Sequence, residues 1–186
     1  YLLTPEDFSH PAAADRHLRA LPDCAIVLAA EYGVAPEQLD AQIVWARGVF
    51  GDRLWVSLTL SMRAQDNRQR QVVQQAAARH GVPIVASGQV HMHERARRPL
   101  HDTMTAIRLG QPVAQCGYAL PSNAQAYLRQ RVELARLYSK EEMEETLVLA
   151  EDCHFRLRSL EYEYPDEVVP PGHTPASFLR EQTYEG

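Results

Sequence analysis

The chain has 186 residues, of which 45% are hydrophobic and 23% are charged, and its net charge is −5. These values are typical of a folded globular protein and exclude a disordered or fibrous chain. They also exclude a dedicated nucleic-acid binder, since such domains carry a strongly basic surface. The stretch 111–128 lacks charged residues but contains Gln, Asn, Ser and two prolines, so it cannot lie in the hydrocarbon of a membrane.

Charge is distributed unevenly along the chain. Residues 1–138 carry 15 basic and 12 acidic side chains, whereas residues 139–186 carry 4 basic and 12 acidic ones. All basic residues except Lys140 are arginine, which either reflects the base composition of the gene or favours planar contacts with phosphate and carboxylate groups. The three cysteines form no Cys-x-x-Cys pair, which predicts a reducing, cytoplasmic location. Because the chain begins at Tyr1 rather than Met, we expect a fragment of a longer protein.

Apolar periodicity predicts alternating strands and helices in the first part of the chain. In chain order, the pattern predicts a strand at 25–30, a helix at 36–50, a strand at 54–60, a helix at 66–80 and a strand at 83–90. Gly81 follows the second helix in the C′ position. The first helix should bury one stripe formed by Leu39, Ile43, Ala46 and Phe50. This order predicts βα units around a parallel sheet, either a barrel or an open doubly wound sheet.

Helical patterns dominate after Pro99. A stripe of Leu100, Met104 and Ile107 predicts a helix that ends at Gly110. A second helix is predicted over 123–138, with inward-facing Tyr127, Leu128, Val132 and Ala135. A capping box of Ser139 and Glu142 predicts the start of a third helix, which runs to about Cys153. Residues 160–172 are predicted to form an extended linker. A last helix is predicted to begin at Thr174 and Pro175. We therefore predict an α/β domain over 1–110 and a small helical appendage over 111–186.

Two histidines after the third predicted strand are candidate metal ligands. Residues i and i+2 of an extended segment point to the same side, so His91 and His93 could bind one ion, with His101 eight residues on. The carboxylates that a hydrolytic metal site also needs are missing, since Gln89 occupies the position where an Asp would serve. The alternative is a polar loop whose histidines bond to backbone or solvent.

Three arginines next to Pro99 are candidate DNA-binding residues. Arg95, Arg97 and Arg98 are predicted to form an exposed basic loop. Such a loop would contact DNA phosphate or the acidic surface of a neighbouring domain. The alternative is an ordinary solvated turn.

One run of residues is more specific than any of these patterns. Residues 81–109 read GVPIVASGQVHMHERARRPLHDTMTAIRL, followed by PVAQCGYAL at 112–120, EYEYPDEVVP at 161–170 and GHTPASFLR at 172–180. These segments closely resemble the end of the PHP (polymerase and histidinol phosphatase) domain of bacterial C-family DNA polymerases. The resemblance covers roughly residues 21–186. Within that family, the segments resemble the error-prone branch. This branch is similar to the replicative polymerase III α subunit.

The resemblance implies a partial PHP-type βα barrel whose early strands precede Tyr1. In the family, a multinuclear metal centre holds ions such as zinc or manganese. Its ligands come from those early strands, from a Glu in the strand matching 54–60 and from an Asp at the position of Gln89. The chain has neither carboxylate, so the resemblance implies a degenerate site at His91 and His93. Residues 111–186 would lead toward the polymerase palm, which holds the catalytic aspartates and uses magnesium. We expect no catalytic residue and no cofactor in the fragment itself.

The function implied is that of a structural segment of an error-prone DNA-directed DNA polymerase used in translesion synthesis. Its partners would be primer–template DNA, deoxynucleotides, the polymerase core and accessory damage-tolerance proteins. A first alternative is an active metal-dependent phosphoesterase or 3′–5′ exonuclease acting through His91. A second is a protein-interaction module that docks a partner through the acidic segment 139–186.

Overall fold

The computed structural model describes residues 8, 21, 24–160 and 169–185, with the side chain of Ser159 left aside. The chain divides into two compact units after Cys153. The first unit contains, in order, β1 (Ile26–Ala29), α1 (Pro36–Phe50), β2 (Leu54–Thr59), α2 (Asp66–His80), β3 (Ile84–Ser87), α3 (Arg98–Leu109), α4 (Arg131–Leu137) and α5 (Lys140–Asp152). The second contains a 3₁₀ turn (Leu157–Ser159) and α6 (Pro175–Glu185).

The first two helices follow the pattern of their own sequences. Helix α1 begins with Pro36, whose fixed φ suits the first helical turn, and it buries all four residues of the predicted stripe. Helix α2 ends where Gly81 adopts a left-handed φ of 61°, and the Gly81 amide donates to the Ala77 carbonyl. Both predicted helices are confirmed at the predicted bounds.

The three strands form one parallel sheet in the order β1-β2-β3. Ile26 pairs with Leu54, and Val56 pairs with Ile84. Every residue of the central strand β2 is buried, as expected for a parallel strand covered on both faces. The α/β class predicted from the sequence is therefore confirmed, while a partial PHP-type βα barrel stays a prediction.

One hydrophobic core joins the sheet to the first two helices. Leu54, Val56 and Leu58 alternate along β2 and lie in a cluster with buried residues of α1 and α2. At one end of this core, the rings of Phe8, Trp45 and Phe50 meet edge to face, with centroids 5.2 to 6.4 Å apart.

The helix α5 packs against β3 and is tied to α2 by a buried carboxylate. The Ser139 amide donates to Glu142 Oε2 at 2.9 Å, and the Glu142 amide donates to Ser139 Oγ at 3.2 Å, which confirms the capping box. The same Glu142 accepts a hydrogen bond from Gln74 Nε2 at 3.0 Å and lies 3.4 Å from Arg70 Nη1. Segment 111–152 thus lies in the same compact unit as the sheet, and a domain boundary after residue 110 stays a prediction.

The helix predicted over 123–138 is wrong in its first half. Residues 126–128 are instead extended, because the His91 amide donates to the Ala126 carbonyl and the Leu128 amide donates to the Met92 carbonyl. Helix α4 begins only after Gln130, whose amide donates to Glu133 Oε2 at 3.1 Å. Tyr127 is buried as predicted, but Leu128, Val132 and Ala135 are exposed.

The helix predicted before Gly110 exists, but its apolar stripe does not face the core. Leu100, Met104 and Ile107 are all exposed, and the exposed fraction of Ile107 reaches 75%. The buried positions of α3 are Thr105 and Ala106. The third strand is also shorter than predicted, since Gln89 adopts a φ of 40° that an extended strand cannot accommodate.

The second unit confirms the last predicted helix. The Ser177 amide donates to Thr174 Oγ1 at 3.2 Å, so Thr174 caps α6 and Pro175 occupies its first turn. The linker predicted over 160–172 falls largely on residues 161–168, which lie outside the described residues. Within the described part of the chain, none of the helices combines the length and the apolar character that crossing a membrane requires.

Candidate functional site

A cavity of about 890 Å³ opens beyond the carboxyl ends of β2 and β3. Ser61 and Arg63 follow β2, and Gln89 and His91 follow β3, so the two βα connections supply one wall. In parallel α/β sheets this is the edge where ligands bind. The opposite wall consists of one face of α3 and the irregular segment after it, namely Arg98, His101, Thr105, Arg108, residues 117–122 and Ala126.

The structure places His91 in this cavity but leaves His93 outside it. Met92 lies between them and is buried, while both histidines are exposed. The partner that the structure brings to His91 is His101, whose ring centroid is 5.4 Å from that of His91. His93 instead has its Nε2 3.6 Å from Glu94 Oε1. Joint ligation of one ion by His91 and His93 stays a prediction.

The donors around the cavity do not match a multinuclear metal centre. Among the residues that the structure describes, no group of three or more His, Cys, Asp or Glu side chains could hold a metal ion. The carboxylate of Asp102 lies 3.3 Å from Arg98 Nε and 3.8 Å from His101 Nδ1. Two imidazoles and the uncharged amide of Gln89 lack the negative charge that several close dications require, so the described residues do not fit such a centre.

The predicted basic residues lie in a short 3₁₀ turn and the first turn of α3 rather than in an open loop. Arg95 donates to the Tyr127 hydroxyl at 2.9 Å, with its guanidinium 4.7 Å from the centre of that ring. Arg97 Nε lies 3.4 Å from Glu94 Oε1. Arg98 donates to the Pro121 carbonyl at 2.8 Å and pairs with Asp102. Two of the three arginines therefore hold the segment 121–127 in place, and contact with DNA stays a prediction for all three.

The segment after α3 is anchored by contacts that sequence patterns did not reveal. Asn123 Nδ2 donates to the Ser61 carbonyl at 2.7 Å, and Asn123 Oδ1 accepts from the Gln125 amide at 3.0 Å. This turn is typical of Asn and is a usable sequence signal. The Tyr127 hydroxyl donates to Glu133 Oε1 at 2.6 Å, and this bond, with the Gln130 amide, lowers the pKa of Glu133.

A buried tyrosine joins the ends of β2 and β3. The Tyr138 hydroxyl accepts from the Leu60 amide at 3.1 Å and donates to the Ser87 carbonyl at 2.7 Å. Tyr138 is only 5% exposed, and burial raises its pKa above the ordinary value of 10.0. The hydroxyl thereby fixes the spacing of the two strand ends from which the cavity wall continues.

Sequence reasoning also missed two arginines of the cavity, Arg63 and Arg108. A signal was present for the second, because Arg98, His101, Thr105 and Arg108 recur at intervals of three, four and three residues along α3. The apolar residues Leu100, Met104 and Ile107 form a separate stripe on the same helix. Helix α3 thus turns a polar stripe to the cavity and leaves an apolar stripe exposed.

Comparison with known proteins shows close relatives over the whole chain, although no protein-family model matches it. The chain is 50% identical over 186 residues to a protein of Bordetella parapertussis named error-prone DNA polymerase, and 45% identical over 186 residues to one of Burkholderia mallei with the same name. A similarly named protein of Dechloromonas aromatica is 42% identical over 167 residues, which is 90% of the chain and 16% of that protein. The chain spans about 18% of the length of the first two relatives. It is therefore similar, over its full length, to one segment of proteins named error-prone DNA polymerase.

Proposed function

We propose that the chain is a segment of an error-prone DNA-directed DNA polymerase, a nucleotidyltransferase that acts in DNA damage tolerance. The similarity over 100% of the chain to proteins of that name supports this proposal. The complete enzyme would bind primer–template DNA and deoxynucleotides and would use magnesium. Within it, this segment would serve as a PHP-type structural region that packs against the polymerase core and carries no nucleotidyl transfer of its own.

The exposed apolar stripe of α3 is the observation that carries the structural role. Leu100, Met104 and Ile107 lie on one face of the helix, and all three side chains are exposed. Full burial of one such side chain stabilises a protein by about 1.5–3 kcal/mol, so covering all three gives a substantial contact. Since the relatives are more than five times as long as this chain, their remaining sequence offers the surface that would cover the stripe.

Part of the acidic segment 139–186 is already engaged within its own unit. Glu142 is buried in the capping box, and Glu145 Oε1 accepts a hydrogen bond from Trp55 Nε1 at 2.9 Å. Lys140 Nζ lies 3.4 Å from Glu144 Oε1. These contacts favour a structural role for α5 over the docking of an accessory protein.

The test compares the 186-residue chain with the complete polymerase. Ile107→Asp should leave the stability of the chain alone within about 0.5 kcal/mol, because the side chain is exposed there. The same change should lower the melting temperature of the complete polymerase and open the segment to proteolysis. Val44→Asp is the matched control, since Val44 is an exposed apolar residue on α1 outside any such stripe. Full tolerance of Ile107→Asp in the complete enzyme would refute the packing role.

A second measurement tests the absence of catalysis in this segment. The purified chain, supplied with primer–template DNA, deoxynucleotides and magnesium, should incorporate no nucleotide. Template-dependent extension by the chain alone would show that the transferase centre lies within it.

A further inference from the structure

The walls of the cavity beyond β2 and β3 are strongly cationic. Arg63, Arg98 and Arg108 all line it, together with His91 and His101. Among its described lining residues, none is an Asp or a Glu. Asp102 pairs with Arg98 and offsets one of the three positive charges. The other two arginines leave the charge around the cavity positive without any contribution from the histidines.

Two of the three guanidinium groups keep donors that the fold does not use. Arg108 has no hydrogen-bond or ion-pair partner among the described residues and is exposed. Arg63 lies over the Tyr32 ring, with its guanidinium carbon 4.6 Å from the ring centre. Stacking engages the face of the guanidinium and leaves its edge N–H groups available.

The third arginine is held rigidly in the same wall. Arg98 is fixed by the Pro121 carbonyl and by Asp102, so its position does not depend on a ligand. His101 lines the same wall, and its buried Nδ1 lies 3.8 Å from Asp102 Oδ1 without a hydrogen bond within the described structure. The cavity therefore combines one fixed cation with two cations whose donors are free.

We propose that this cavity binds a phosphate group through Arg63 and Arg108, with Arg98 supplying fixed positive charge. Planar guanidinium groups match phosphate oxygens in two-point hydrogen bonds, and a phosphate supplies the negative charge that the wall lacks. The phosphate belongs either to a nucleic-acid strand or to free inorganic phosphate. The site requires no metal ion, and it does not depend on the chain being a polymerase segment.

The experiment uses the 186-residue chain and two probes, a fluorescently labelled thymidine oligonucleotide and inorganic phosphate. Anisotropy measures oligonucleotide binding as a function of salt, and thermal unfolding measures stabilisation by phosphate. The test variant is Arg63→Gln with Arg108→Gln. The matched control is Arg68→Gln with Arg136→Gln, which removes the same charge from exposed positions outside the cavity.

Loss of binding in the test variant but not in the control is the expected result. For a strand phosphate, affinity should fall about tenfold or more, and the slope of log K against log salt should weaken by about 1.4 for two lost contacts. If the ligand is free phosphate, the test variant should lose the thermal stabilisation by phosphate. Neither the wild type nor the variant should then bind the oligonucleotide. The single variant Arg108→Gln should also bind the probe more weakly than the wild type. Because Arg108 has no partner among the described residues, this change leaves the fold intact. Equal losses in the test and control variants, or no binding of either probe to the wild type, would overturn the proposal.

Discussion

Removal of the Tyr138 hydroxyl should destabilise the sheet measurably. In Tyr138→Phe, the Leu60 amide and the Ser87 carbonyl both lose their partner, at sites where the hydrogen bonds measure 3.1 and 2.7 Å. A buried polar group left without a partner costs about 1–3 kcal/mol, and the Ser87 bond is only partly buried. We therefore expect the free energy of unfolding to fall by about 2–3 kcal/mol.

Urea unfolding of the 186-residue chain, followed by tryptophan fluorescence and circular dichroism, measures this loss. The denaturation midpoint should fall while the slope m stays constant, because the surface exposed on unfolding hardly changes. Tyr118→Phe is the matched control, since Tyr118 is fully exposed and the change should cost less than about 0.5 kcal/mol. Equal effects of the two substitutions would refute the role assigned to the Tyr138 hydroxyl.

The same residue predicts a pH dependence of stability. Burial raises the pKa of Tyr138 in the folded protein, whereas the unfolded chain titrates near 10.0. Above that pH the unfolded state loses its proton first, so the stability due to this residue is complete below pH 10 and declines as pH rises through the folded pKa. Phenylalanine cannot titrate, so the stability difference between the wild type and Tyr138→Phe should shrink in alkaline urea titrations. A constant difference across that range would contradict the burial effect.

Three further predictions concern single positions. Gly48→Ala should stabilise the chain by about 0.5–1 kcal/mol, because Gly48 lies within α1 and an added Cβ meets nothing within 4 Å. Gly81→Ala should instead destabilise it by about 1 kcal/mol, since its left-handed φ of 61° is strained for alanine. Urea midpoints that fail to move in opposite directions would contradict this. Arg97→Ala should weaken binding of primer–template DNA by the complete polymerase and reduce its salt slope by about 1, with exposed Arg68→Ala as control. Identical salt slopes for the two variants would remove Arg97 from the DNA contact.

The accuracy of the sequence-based predictions follows the range of the interactions involved. The bounds of α1 and α2 were correct because each depends on apolar spacing within one helix and on local signals at its ends, such as Pro36 and Gly81. The capping box at Ser139 was correct for the same reason. The helix predicted over 123–138 failed because its first half pairs with residues 91–92, which are about 35 positions away.

The candidate site was only partly predictable. His91 and Arg98 were recognised and do line the cavity, whereas Arg63 and Arg108 were missed. His93 was grouped with His91 on local spacing, yet the chain brings His91 to His101 instead. Spacing along a strand indicates which side chains share a face. It does not indicate which helix will pack opposite that face.

The sequence by itself determined the α/β class, the alternation of strands and helices along the chain and most helix ends, because these depend on periodicity and capping within a few residues of each other. Only the tertiary structure decided the orientation of α3. Both stripes of that helix are compatible with its sequence, and packing turned the polar one, with Arg98 and Arg108, toward the cavity and left Ile107 exposed. The physical reason is that burial depends on the surfaces a helix meets. The segment that packs beside α3 is positioned through Asn123 and Tyr127 by contacts with the distant connections that follow β2 and β3.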